Sequence, residues 1–177
     1  MIRVMCDLET LGVSSNAPIL SIGAVVFDAD TGVISDHFYR AVDPESSVAA
    51  GAVMDVSTVM WWLKQGDAAR AAVTNKAGTA HISAALRDFA EWYPSANTQF
   101  WANGPDFDAV ILTNAYQAAG MAPPWKFWNQ RCFRTLKGEF PEVAYAGPET
   151  PHHAMYDAKA QAAHAIKLLR LIRGNIK

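Results

Sequence analysis

The first forty residues carry short apolar runs separated by polar turns, and beyond them apolar positions recur three and four apart. Runs of the first kind fit buried strands, and the second spacing fits amphipathic helices. Ile2, Val4, Met5 and Cys6 make a short strand that ends on Asp7 and Glu9. Residues 19–27 (ILSIGAVVF) make a second strand, Asp28 to Gly32 a turn, and residues 33–40 an alternating third. Three consecutive strands on short turns predict an antiparallel meander. Residues 53–65 (VMDVSTVMWWLKQ) read as a helix capped by Asp55 or Ser57, with Val56, Val59, Met60 and Leu63 on one stripe. Trp61 and Trp62 are adjacent and cannot share a face, so one packs inside and the other is partly exposed. A core role is favoured over base stacking for both.

Gly66 closes that helix, and residues 67–74 form another helical turn. Residues 79–93 are amphipathic with Ile82, Leu86, Phe89 and Ala90 inward, and Pro94 ends them. Residues 99–103 (QFWAN) give a fourth strand and residues 106–119 the next helix. Residues 121–129, rich in proline and tryptophan, cross the surface before or through a short fifth strand. Residues 131–140 are helical, residues 144–151 a loop, and residues 153–173 the last helix. No repeat or linker interrupts this order. Residues 1–177 therefore read as a single α/β domain, one mixed sheet with helices packed on it.

Composition narrows the class. The chain is 51% hydrophobic and 18% charged, which excludes a disordered segment, and 177 residues suffice for a substantial core. No run approaches the ~18 apolar residues of a membrane span, and Asp7 and Glu9 interrupt the region where a signal peptide would be apolar. A cytoplasmic protein with no membrane partner is expected. Cys6 and Cys132 make neither a disulfide framework nor a zinc pattern. A net charge of -2 argues against gripping nucleic acid by bulk electrostatics, but not against a metal-dependent nuclease, whose bound cations engage the phosphate.

Chemistry collects around acids. Asp7 and Glu9, two apart on an extended chain, project on one face, where they repel and lose hydration. A hard divalent cation with oxygen ligands, Mg2+ or Mn2+, relieves both costs. An isolated pair of this kind is more simply a polar strand end, so the later acids decide. Asp108 lies in the first turn of the helix after the fourth strand, where Asp106 suits the capping role better. Asp157 stands beside a stripe of Ala154, Ala158 and Ala162 that faces the interior, an expensive place for an unpaired charge. His152 precedes Asp157 by five residues, about 140° around a helix, so it belongs to the preceding loop and leans over the acids. Asp30-Thr31-Gly32 matches the D-T-G of aspartic proteases, but no second copy completes a dyad and the triplet is ordinary hairpin chemistry.

Three motifs stand in order: D-x-E-T-x-G at Asp7 to Gly12, an Asn or Gly followed by x-x-F-D at Gly104 to Asp108, and H-x4-D from His152 to Asp157. With them the chain resembles the DEDDh 3′-to-5′ exonucleases of the DnaQ-like, ribonuclease-H-like superfamily. The DVSTVMWWLKQ helix is further similar to the phage DexA-type and exonuclease VIII-like subgroup, which includes small bacterial 3′-to-5′ exoribonucleases. Relatives often carry His-Asn before x-x-F-D, whereas here Gly104 holds that place and Asn103 stands one residue earlier. Asp106 remains the second candidate for the ligand role of Asp108.

The resemblance implies a ribonuclease-H-like, mixed five-stranded sheet, three antiparallel strands then parallel ones, flanked by helices. It implies two Mg2+ or Mn2+ ions. Asp7 would bridge them, Glu9 and Asp157 would complete the site of the attacking water, and Asp108 would hold the second ion. His152 would be the general base, with His153 its competitor; imidazole is the side chain whose ordinary titration lies nearest neutrality. Thr10, Leu11, Asn103 and Phe107 inherit substrate contacts, Leu11 against the last base, with a core role equally open for Phe107. His37, His81 and His164 read as surface or capping residues. Arg131 and Arg134 either hold phosphates or form a solvated face. The expected partner is single-stranded DNA or RNA with a free 3′ end, in a bacterial or phage-infected cell, cut to nucleoside 5′-monophosphates. AGMAPPWKFW offers an apolar patch for a homodimer. The alternatives are a ribonuclease-H-like endonuclease and a non-catalytic binding module on the same fold.

Overall fold

The computed structural model describes residues 1–74 and 77–174. Strands β1 (Ile2–Thr10), β2 (Ile19–Asp28) and β3 (Val33–Ala41) form the antiparallel meander. Strands β4 (Gln99–Ala102) and β5 (Gln130–Cys132) add to the other edge of β1 in parallel, giving the order β3-β2-β1-β4-β5. The helices are α1 (Pro44–Ala49), α2 (Val56–Leu63), α3 (Asp67–Thr74), α4 (Ile82–Trp92), α5 (Asp108–Ala118), α6 (Phe133–Gly138) and α7 (Ala154–Gly174). Among the described residues no helix is long and apolar enough to cross a membrane.

The period of two along β1 decides which layer each residue enters. Val4, Cys6 and Leu8 pack with Leu86 and Phe89 of α4 and Ile111, Leu112 and Tyr116 of α5. Met5 faces the opposite layer, where Val25, Phe27, Trp101 and Phe133 meet Ala158, Ala162 and Ala165 of α7. Asp7 and Glu9 continue the Met5 side, so alternation alone sends both carboxylates toward α7. The approach of α7 depends on a missing side chain. Gly23 of β2 pairs with Asp7, and a Cβ there would stand 2.1 Å from the Ala154 carbonyl carbon. Glycine inside a strand marks such a close backbone approach.

Several elements depart from expectation. Helix α1 was not anticipated; Asp43 caps it, accepting the Glu45 N–H, and Pro44 opens it. In α2 the cap is Asp55, but Val56, Met60 and Leu63 face solvent and Trp62 is the buried residue. The indole outweighs the aliphatic stripe because it packs with Leu11 and Leu20 and donates to the Thr10 carbonyl at 2.9 Å. Helix α5 begins at Asp108 with Phe107 as its cap residue, and Asp106 is exposed outside it. The proline- and tryptophan-rich segment divides: Trp125 is buried and stacks on Phe100 at 4.1 Å, while Phe127 and Trp128 are exposed. His164 is not on the surface but buried between Tyr145 and Phe133, and burial pushes its pKa down. Asp30 of the D-T-G triplet pairs with the terminal ammonium and with Arg173, tying the hairpin to α7.

Candidate active site

One carboxylate oxygen from each of Asp7, Glu9 and Asp157 lies within 4.8 Å of the others. The first two come from β1, and the third from the first turn of α7, which Gly23 admits to the sheet. Asp157 reaches back to accept the His153 N–H at 3.1 Å, so it also caps its own helix. Asp108 sits one strand over and is 2% exposed. The ladder between β1 and β4 ends at Met5 and Trp101, and beyond it the carboxylate of Asp108 accepts the Leu8 N–H at 3.0 Å. It thereby satisfies a strand donor that β4 has left. Gln161, one turn after Asp157 on α7 and 3% exposed, donates its amide to Asp7 Oδ1 at 2.8 Å.

Burial and mutual repulsion push these acids out of the ordinary carboxylate range. Asp7 is raised well above it by burial, then by Asp108, Glu9 and Asp157, with the Gln161 bond pulling the other way. Glu9 is raised to about 8 by burial and by Asp157 and Asp108. Asp108 is raised to about 7 by burial, against the backbone donors of Leu8 and Asp108 itself and the charge of Arg134. Asp157 is also raised, burial leading, with His153 and His152 opposing. Among the described residues no lysine or arginine forms an ion pair with any of the four. Converging hard oxygens that no ion pair neutralises fit a divalent cation.

Beside Glu9 opens a cavity of about 550 Å3, lined among others by Thr10, Thr58, Trp61, Trp62 and Phe107. Leu11 is not in this wall; it is packed with Leu20 and Trp62. The ring of Trp61, 41% accessible, is part of this wall. Thr10 keeps its hydroxyl on the Gly12 carbonyl at 2.7 Å. Asn103 contributes main chain: its N–H supports Asp108 and its carbonyl accepts Arg134 Nη2 at 2.9 Å.

His152 stands in the loop before α7 with φ of +62°, the left-handed region. Its ring meets Trp61 and Trp62 edge-on, with centroids 4.9 and 6.2 Å away. His153 turns elsewhere, stacked on Tyr39 at 4.5 Å and against Tyr156 at 4.7 Å. Of the adjacent pair, His152 therefore faces the aromatic wall. Gln161, Gly23 and the Trp62–Thr10 bond escaped the sequence reading. Only Gly23 left a signal there, an isolated glycine within an apolar strand.

The architecture is that of known nucleases. The nuclease domain of 3′hExo, a DEDDh family member bound to rAMP, is 17% identical with a TM-score of 0.63, over 96% of this chain and 92% of that one. Exonuclease X in complex with 5′ overhanging duplex DNA is 17% identical with a TM-score of 0.60, over 95% and 91%. E. coli exonuclease I in complex with a dT13 oligonucleotide is 16% identical with a TM-score of 0.66, over 97% of this chain but 42% of that one. These likenesses show that the chain shares the fold of those nucleases. Residues 2–169 match the 3′-5′ exoribonuclease Rv2179c-like domain, and the chain belongs to that family. It is a 3′-5′ exonuclease. No curated protein sequence matches it.

Proposed function

We propose that this protein shortens single-stranded RNA from its 3′ end, releasing nucleoside 5′-monophosphates, with Asp7, Glu9, Asp108 and Asp157 as cation ligands and His152 as general base. The observation that carries the reading is the convergence of three carboxylates within 4.8 Å beside an aromatic-walled cavity. RNA is preferred over DNA because the family is described as exoribonucleases.

The donor set suits two Mg2+ or Mn2+ ions, which when bound activate water and offset charge on the phosphate. The chain's own groups do the rest. Trp61 and Phe107 receive the terminal base in the cavity, and the α2 wall gives it a surface to stop against. Thr10 is held beside the terminal sugar by the Trp62 indole. Gln161 orients the Asp7 carboxylate, and the Leu8 N–H orients that of Asp108. His152 accepts the proton of the attacking water at a ring nitrogen, directed from its loop by the two indoles. This activity belongs in the cytoplasm, where the free thiols of Cys6 and Cys132 also suit a reducing environment.

The test is digestion of matched 5′-labelled RNA and DNA oligomers with Mg2+, Mn2+ or EDTA, alongside Asp7→Asn and His152→Ala variants. A metal-dependent ladder that starts at the 3′ end, runs further on RNA and is lost in both variants is expected. Internal cuts, or a ladder that survives Asp7→Asn, would overturn the assignment.

A further inference from the structure

Beyond Asp108 the surface carries a positive strip that the chemistry above leaves unused. Residues 126–138 (KFWNQRCFRTLKG) contain Lys126, Arg131, Arg134 and Lys137 and no acid, in a chain whose net charge is -2. Among the described residues none of the four has a carboxylate partner. The contacts they make are neutral. Arg134 donates to the Asn103 carbonyl and lies 3.6 Å from where a Cβ on Gly104 would stand. Lys137 lies 5.0 Å over the Tyr145 ring, Arg131 donates to the Trp128 and Gln130 carbonyls, and Lys126 donates to Asn97 Oδ1. These bonds hold the side chains in place without an ion pair, and the charge of Arg134 is felt at Asp108.

Topology lines these groups up. Strand β5 runs parallel to β4 and β1, so its C-terminal end, from which Arg134 and Lys137 follow, opens on the same edge of the sheet as Asp7 and Glu9. Arg131 stands on β5, the last strand of the sheet, and Trp128 and Lys126 belong to a 3-10 turn (Phe127–Asn129) and its cap, which enter the strand from its other end. At the far end Phe127 and Trp128 are 76% and 59% exposed, with the Lys126 ammonium 5.5 Å over the Trp128 ring. Cations without ion-pair partners, interleaved with exposed rings, suit a single strand, whose phosphates take the charges while an unstacked base takes a ring.

We propose that this strip is the track for the 5′ portion of the single strand whose 3′ end lies at the acids. Arg134 and Lys137 hold the phosphates next to the scissile one, Arg131 and Lys126 hold those further back, and Trp128 stacks a base. The proposal rests on the exonuclease reading of the acid cluster. It makes the enzyme length-sensitive: a dinucleotide fills only the cavity, whereas a dodecamer also fills the strip.

The test compares a single-stranded RNA dodecamer with a dinucleotide, by kcat/KM in the active enzyme and by fluorescence anisotropy in the Asp7→Asn protein. In an Arg131→Ala/Trp128→Ala double variant the preference for the dodecamer should fall by about tenfold. The slope of its log affinity against log salt should flatten by roughly 0.7 for the cation removed, and Arg131→Lys should restore that slope. An unchanged preference, in enzyme that still shortens the dodecamer, overturns the track alone. A wild-type protein that shortens no oligomer removes the exonuclease reading and the track with it. Light scattering supplies a further arm: a dimer that Trp128→Glu dissociates while leaving the dodecamer preference intact would make this face a contact between copies and overturn the proposal.

Discussion

The two helices that flank the acids are built on opposite principles. Helix α7 meets the sheet through alanines, at the one place where β2 carries a glycine, so backbone lies almost against backbone. Helix α2 meets it through one buried indole, with Trp61, Met60 and Val56 left exposed. Small residues permit one close registration and tolerate no added atom, whereas a large ring leaves its helix free of such demands. The difference matches the duties proposed for each side. Carboxylates that share a cation must be placed within fractions of an ångström, whereas a wall that stacks a base needs only a flat face.

The sharpest way to break the comparison is Gly23→Ala. The added methyl has no room below Ala154, so α7 must lift and carry Asp157 away from Asp7 and Glu9. A displacement of that kind costs roughly a hundredfold in turnover, and overpacking costs about 1–3 kcal/mol of stability. Steady-state rates and thermal unfolding measure both; wild-type values for each would show that the close approach is not what sets the site.

The α7 side also predicts an electrostatic signature in metal-free protein. Glu9 in the folded chain titrates at about 8 against an ordinary 4.5, and Asp108 at about 7 against 3.8. Between those values the folded state binds more protons than the unfolded one, so stability falls as pH rises through them. In EDTA the unfolding temperature should therefore drop from pH 5 to about pH 8. Mg2+ at a hundredfold excess over its Kd should return about 2.7 kcal/mol at the upper end. A flat profile with no response to metal would contradict the cluster.

Gln161→Met keeps the volume beside Asp7 and removes only the donor. It should weaken metal affinity or activity by about ten- to a hundredfold, as read by calorimetric titration of Mg2+, with folding intact by circular dichroism. Wild-type affinity would make the bond incidental. On the α2 side the smallest effect is expected: Trp61→Ala should raise KM by about tenfold, in line with one lost stacking contact, and leave the unfolding temperature near wild type. A collapse in stability would instead mean that α2 is locked as tightly as α7.

Much of the α7 side was legible before folding. The period of two carried Asp7 and Glu9 to one face, the alanine stripe around Asp157 announced close packing, and the five-residue spacing from Asp157 put His152 in the preceding loop. The α2 side misled, because the aliphatic stripe of Val56, Met60 and Leu63 obeys helical periodicity as well as Trp62 does. Leu11, expected beside a base, packs with Leu20 and Trp62, and Trp61 lines the cavity, since local spacing says nothing about which of two neighbouring side chains a cavity wall will use. His164 read as surface because its burial comes from Tyr145 and Phe133, residues of a loop and a different helix.

By itself the sequence determined the strand meander, the element ends on which the four acids stand, and the order of motifs that marks the family. These follow from alternation, helical period and spacing, which are local. Only the tertiary structure decided that three carboxylates close to within 4.8 Å, that Gln161 reaches Asp7 across 154 positions, and that Arg134 rather than Arg131 lies beside Asp108. Each depends on how far one element comes to rest from another, and that distance is set by the packing of side chains remote in sequence.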